Sequence, residues 1–356
     1  MMDSKIITHS KPTLGKEEEV AIAKVVRSKQ IVQGKKVAQF EKGMANYIGR
    51  KHAIAVSSGL AALHLSLTAL DIKRGDEVIL PSYTCDALLN AVLYLGAKPK
   101  IVDVEYDDGN ISLNEIKKNV TNKTKAIIVP HSLGFPAKID SIIELGIPVI
   151  EDCATSIGAK YKNKKVGSFG KISAFSFYAS KMLTTGEGGM ILTDDKKVAD
   201  ITRELRNYTK HPKFRVRYNY KMTDIEAAIG IVQLKKLNNF IKKRIFLARK
   251  YTDLLKECPD IILPIYKDKE MKPVFYRYIV KLLTHNPDKI RNSMSIVCGR
   301  GVLKPLHQLL GLSSKLYPNS EKLAKEVISL PIYPSLSEKN VESICAEFIK
   351  LLKNQK

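Results

Sequence analysis

Apolar and polar positions along the first two-thirds of the chain fall into two alternating textures. Short apolar runs at 53–57, 77–80, 100–104, 125–129, 148–152, 172–177 and 189–193 predict buried strands. Between several of them lie segments with helical spacing of apolar residues, such as 61–69, 86–95 and 113–120. Strands alternating with helices predict an α/β architecture: a mostly parallel seven-stranded sheet flanked by helices. The last two strands are joined by 178–188, which carries little helical pattern, and this predicts a reversal of strand direction there.

From Asp224 the texture changes. Ile225, Ala228, Ile229, Val232, Leu234 and Leu237 recur at helical spacing, with Asp224 placed to cap the helix. The pattern runs on to 255 and ends near Cys258 and Pro259. A strand-like stretch at 275–283, a loop-rich region and a final helix at 338–352 follow. The resulting organisation is a large α/β domain over 1–240 and a smaller C-terminal α+β domain over 241–356, without internal repeats.

Composition narrows the class. A chain of 356 residues can bury a large core, and 44% hydrophobic with 27% charged residues is ordinary for a soluble globular protein. No apolar run is long enough to span a bilayer, and the polar start lacks a signal-peptide core, so the expected location is cytoplasmic. The five cysteines are scattered without a CxxC spacing, which suggests neither a disulfide framework nor a metal site. The formal charge of +23 raises nucleic acid, an anionic membrane or small anionic ligands as partners. The basic residues are spread along the chain, however. Their densest cluster, Lys160, Lys162, Lys164 and Lys165, holds a single aromatic, Tyr161. With no nucleic-acid-binding signature and no membrane segment, a lysine-rich solvated surface is the expected reading of the charge, with neither nucleic acid nor membrane as partner.

Three stretches carry candidate chemistry. The run from Ser173 to Gly189 leads an apolar strand into Lys181, followed at once by a turn containing Gly186, Gly188 and Gly189. A lysine held at a strand end is suited to forming a Schiff base with an aldehyde, and the glycines would let backbone approach a ligand. By itself such a lysine would be read as a surface residue in a turn. The strand at 148–152 ends in Glu151 and Asp152, and a carboxylate there can accept a hydrogen bond from a protonated pyridine nitrogen. Alone, it would be read as a cap on the next turn. Ser57, Ser58 and Gly59 form a turn between strand and helix, where free amides bind phosphate.

Taken in order (phosphate turn, ring aspartate, Schiff-base lysine), these runs resemble the fold type I pyridoxal-phosphate enzymes. They are closely similar to the DegT/StrS family of nucleotide-sugar aminotransferases. The likeness is collinear over nearly the whole chain. It includes Gly34 with Phe40 and Glu41, the run Gly75 to Val78, Glu151 with Asp152, and Ser176 with Lys181. It continues through Tyr218 to Asp224, Pro305 to His307 and Leu330 to Pro334.

The resemblance implies pyridoxal 5'-phosphate as cofactor, with Lys181 as its Schiff-base lysine and catalytic residue and Asp152 on the ring nitrogen. It implies Ser176, with the turn at Gly59 and the amides of Leu60 and Ala61, around the phosphate, and Asn219 reaching the phosphate of a neighbouring subunit, hence a homodimer with shared sites. Cys85 and Thr155 stand beside the cofactor ring, and Glu187 and His307 near the substrate. Leu60 replaces a usual threonine, Cys85 a stacking aromatic, Thr155 a glutamine or histidine, and Lys221 an arginine. The implied reaction moves an amino group from an amino acid, L-glutamate, to a nucleotide-linked keto sugar. The rival readings are sugar dehydration, disfavoured because those relatives carry histidine where Lys181 stands, another reaction on an amino acid such as elimination, and a non-enzymatic basic binding protein.

Overall fold

The computed structural model describes residues 7–209, 212–264 and 269–354. All seven expected strands form, as β1 (His52–Val56), β2 (Glu77–Pro81), β3 (Lys98–Val102), β4 (Thr124–Pro130), β5 (Val149–Asp152), β6 (Ile172–Ser176) and β7 (Gly189–Thr193). They build one sheet in the order β1-β7-β6-β5-β4-β2-β3. β7 runs antiparallel to both β1 and β6, while the pairs from β6 to β3 are parallel. The reversal therefore falls at the join with little helical pattern. A reversal can be made by a loop alone, whereas a parallel connection must cross over the sheet through a dozen or more residues.

Both faces of this sheet are covered, which is why its strands read as unbroken apolar runs. Ala126 and Ile128 of β4 pack on one side with the helices Gly59–Ala69 and Ala87–Leu93. Ile127 and Val129, one residue out of step, pack on the other side with Ile116 and Ile142. The period of two in the strand decides which core each side chain joins.

The helix Asp224–Leu255 runs unbroken through residue 240, the expected domain boundary. Leu237 packs in the core with Val37 and Phe40, while Leu247, Tyr251 and Leu255 pack in a C-terminal core. That second core lies between this helix, the helix Glu338–Asn354 and a three-stranded antiparallel sheet of Ile261–Ile262, Tyr278–Leu282 and Val327–Leu330. The N-terminal segment also joins it: Ile7 packs against this core, and His9 Nε2 lies 2.8 Å from Ser329 Oγ.

Asp224 does not cap its own helix. Thr223 is the N-cap, its hydroxyl accepting from the Glu226 amide while the Glu226 carboxylate accepts from the Thr223 amide. The Asp224 carboxylate instead accepts from the amides of Gly34, Lys36 and Val37 at 2.8–3.1 Å, so it caps the helix Lys35–Ile48. Among the described residues, no helix is long and apolar enough to cross a membrane.

Candidate active site

The parallel strands end along one edge of the sheet, and there the chain opens a cavity of about 530 Å³, within the ordinary range of small-ligand sites. Its floor comes from the segments that leave β1, β2, β4, β5 and β6, where an open α/β sheet places ligands. Ser58, Gly59 and Leu60 enter after β1, Asp152 and Thr155 after β5, Ser176 and Lys181 after β6.

At the turn after β1, Ser58 caps the helix Gly59–Ala69 by accepting from the Ala61 amide at 3.0 Å. This amends the expected phosphate contacts: Ala61 already has a partner and does not line the cavity, whereas the first-turn amides of Gly59 and Leu60 have no intrahelical acceptor. A Cβ on Gly59 would stand 3.1 Å from Ser176 Oγ, so only glycine lets the turn lie against that hydroxyl. The glycine at 189 serves protein packing in the same way. Its missing Cβ would lie 2.2 Å from the Ser58 carbonyl oxygen, which is a backbone approach and not the ligand approach expected from the sequence.

Asp152 closes β5 and is buried at 8% exposure, with Oδ1 accepting from the Ala154 amide at 3.0 Å. Burial raises its carboxyl above the ordinary range, against the lowering effect of that amide and of the Lys181 charge. Behind it, Glu151 is wholly buried. Its oxygens accept from the amides of Gly167, Phe169 and Gly170 and lie 3.0 Å from His131 Nε2. Burial would raise the Glu151 carboxyl, but the His131 and amide bonds outweigh it and hold it below the ordinary value. His131 Nδ1 accepts from the Ala137 amide, which leaves the ring proton on Nε2, facing Glu151. His131, Glu151 and Cys153 offer donor atoms within 4.8 Å of one another, yet these existing bonds already occupy the carboxylate and both ring nitrogens.

Lys181 is half-buried on the loop after β6, its Nζ 5.3 Å from the centre of the Tyr276 ring. Tyr276 comes from the C-terminal unit and was not singled out in the sequence. Its placement is over-determined: Arg244 of the long helix donates to the carbonyls of Phe275, Tyr276 and Ile332. Leu133 and Phe275 both adopt left-handed backbone (φ 56° and 51°) where the two segments cross. Gly134 lets them meet, since a Cβ there would lie 2.6 Å from the Tyr276 amide nitrogen. Burial would raise the Tyr276 phenol, but Lys181 and Arg277 outweigh it and leave it below its ordinary value. The signal that could have found it, an aromatic beside an arginine at the head of a strand, is too common to act on alone.

The remaining expected residues separate. Cys85 and Glu187 are exposed on the cavity rim, and the Cys85 thiol is raised, chiefly by desolvation. Thr155 lines the cavity while its hydroxyl donates to the His131 carbonyl at 3.0 Å. Asn219 is exposed and outside this cavity, accepting from Lys221 Nζ at 2.5 Å. His307 is fully buried and does not reach the cavity: Nδ1 lies 2.5 Å from Ser82 Oγ and Nε2 2.8 Å from Glu321. Its ring stacks on Tyr317.

A lysine and a buried carboxylate at neighbouring strand ends, beside an amide-lined turn on this sheet order, define the fold type I class of pyridoxal-phosphate transferases. The chain belongs to the DegT/DnrJ/EryC1/StrS aminotransferase family, which it matches over residues 12–349. It is 37% identical to the GDP-perosamine synthase of Escherichia coli O157:H7, across 96% of this chain and 97% of that protein. It is 33% identical to the spore coat polysaccharide biosynthesis protein SpsC of Bacillus subtilis, across 95% of each. Among solved structures it resembles S. venezuelae DesV in complex with a ketimine intermediate. That match has a TM-score of 0.89 and 31% identity, covering 94% of each chain.

Proposed function

We propose that this protein is a pyridoxal-phosphate-dependent aminotransferase that moves an amino group from L-glutamate to a nucleotide-linked keto sugar, giving an amino sugar for a surface polysaccharide or a secondary metabolite. The observation that carries the reading is Lys181 and the buried Asp152 lining one cavity together with the helix-start turn of Gly59 and Leu60. The residues fit the cofactor. Gly59, Leu60 and Ser176 would hold its phosphate, Asp152 its ring nitrogen and Lys181 its aldehyde carbon. When bound, the cofactor supplies an electron sink for the carbon that loses a proton.

The chain's own groups do the rest. Lys181 would hold the cofactor's aldehyde carbon and, once its amine is free, would be the base placed to take the donor's α-proton and carry it at Nζ. Asp152 would accept a hydrogen bond from the ring nitrogen and favour its protonated form. Its own burial costs stability until that positive charge arrives, so cofactor and carboxylate favour each other. The segments 1–240 and 241–356 close the cleft from two sides, with the helix Asp224–Leu255 common to both. Exposed Asn219, with Phe214 at 96% exposure nearby, serves a second subunit in a homodimer with shared sites. The family, the whole-length likeness to a GDP-perosamine synthase and the cationic surface support an anionic sugar nucleotide as acceptor.

The test is spectroscopic. Purified protein with added cofactor should show a visible band that borohydride removes while fixing the cofactor covalently on Lys181, and glutamate should abolish that band. A protein that stays colourless, or a Lys181→Ala variant with full turnover, would sink the reading. Asn219→Ala should weaken cofactor binding only if a partner subunit forms, so sedimentation of the wild type as a monomer would remove that residue's role.

A further inference from the structure

Arg277 differs from the other cations of the cavity. Arg300 is paired with Asp288, its Nη2 2.5 Å from Oδ2, and Lys304 is exposed. Arg277 has no carboxylate partner among the described residues. Its Nη2 donates to the Tyr276 hydroxyl at 3.2 Å, and its guanidinium carbon lies 4.4 Å from the centre of the Tyr276 ring. Its Nη1 is buried and meets no acceptor at all. A buried guanidinium nitrogen with idle N–H groups is uncommon, even on a half-buried arginine, because the lost hydration goes uncompensated. At the wall of a ligand cavity, the missing partner is naturally an oxyanion that arrives with the ligand.

Reach decides which oxyanion. Lys181 Nζ is 5.3 Å from the same Tyr276 ring centre, so the two distances together keep the guanidinium within about 10 Å of Nζ. In an α-amino acid whose nitrogen has taken the place of Nζ, the carboxylate carbon is only two bonds from that nitrogen. A guanidinium–carboxylate pair adds about 4 Å to that reach, which lies inside the same limit. The diphosphate of a sugar nucleotide lies a whole sugar ring further from the reacting carbon, and the same cavity has Arg300 and Lys304 as further cations.

We propose that Arg277 is the anchor for the α-carboxylate of the amino donor. The assignment rests on the aminotransferase reading above and names the group that orients the donor in that site. Planar N–H pairs match a carboxylate bidentately, so Tyr276, held by Arg244, in turn fixes the plane in which the donor is presented to Lys181.

The test uses the holoenzyme and two unreactive probes followed by calorimetry: glutarate, a dicarboxylate with no amino group, and inorganic pyrophosphate. Arg277→Met should raise the Kd for glutarate by about 30-fold or more while leaving pyrophosphate within about twofold, and Arg277→Lys should fall between, having charge without the fork. Wild type that does not bind glutarate, a methionine variant that binds it normally, or one that loses pyrophosphate equally would each overturn the assignment. If Arg277→Met does not fold, the lysine variant decides by the same comparison. The aminotransferase reading fails separately, by glutamate leaving the visible band of the wild-type holoenzyme unchanged.

Discussion

Gly59 and Ser176 meet with no room for a side chain between them: a Cβ on Gly59 would stand 2.7 Å from the Ser176 Cβ. The contact ties the phosphate turn after β1 to Ser176 at the end of β6, and Lys181 follows on the loop that leaves that strand, so the turn and the lysine share one edge of the sheet.

Gly59→Ala should therefore push the turn away from Ser176. Overpacking of this kind costs about 1–3 kcal/mol, and the larger effect expected is on the cofactor, whose Kd should rise at least tenfold. Fluorescence titration of cofactor-free protein measures it. Unchanged affinity would mean that the turn is not the phosphate site.

Asp152→Asn should separate stability from activity. The Asp152 carboxyl is raised by burial, so the folded chain holds its proton more tightly than the unfolded one. Stability of the cofactor-free protein is then lost as pH rises from the ordinary carboxyl range through the folded value. Cofactor-free Asp152→Asn should melt above wild type at pH 7, with the gap closing below about pH 4. Its turnover should fall on the order of 100-fold or more. Thermal scans over pH, with and without cofactor, check both signs.

His307→Ala should behave as a structural lesion. It leaves Ser82 and Glu321 without a buried partner and should cost about 2–4 kcal/mol. Half-saturating substrate concentrations should stay within about twofold, because the ring does not reach the cavity. The Gln308, His307 and Ser314 contacts hold the Glu321 carboxyl down to about 2. The stabilisation is therefore present above the unfolded value near 4.5 and disappears as pH falls from there toward 2. Acid titration of the melting temperature should be shallower in the variant.

Asp224→Ala removes one carboxylate from three amides of a distant helix start. The expected loss is about 2 kcal/mol, read by urea unfolding, with Thr223→Ala costing less because that hydroxyl accepts from one amide where Asp224 accepts from three. Equal costs would argue that the cross-chain cap adds nothing.

Several features were legible without coordinates because their causes are local. Seven strands follow from runs of apolar residues, and the reversal before β7 falls at the join expected from its lack of helical pattern. The order of Gly59, Asp152 and Lys181 places them at strand ends, and parallel strands necessarily end on one edge. What needed the tertiary structure joins distant positions. Asp224 caps a helix 190 residues earlier. Ser58 takes the Ala61 amide, and His307 turns inward to Ser82 and Glu321. Tyr276 reaches Lys181, and Arg277 the same cavity, only because Gly134 lets two chain segments touch and Arg244 holds one of them. Periodicity and caps depend on near neighbours along the chain, so sequence alone determines them; which side chain meets which across the fold depends on the chain's path, and only packing decides that.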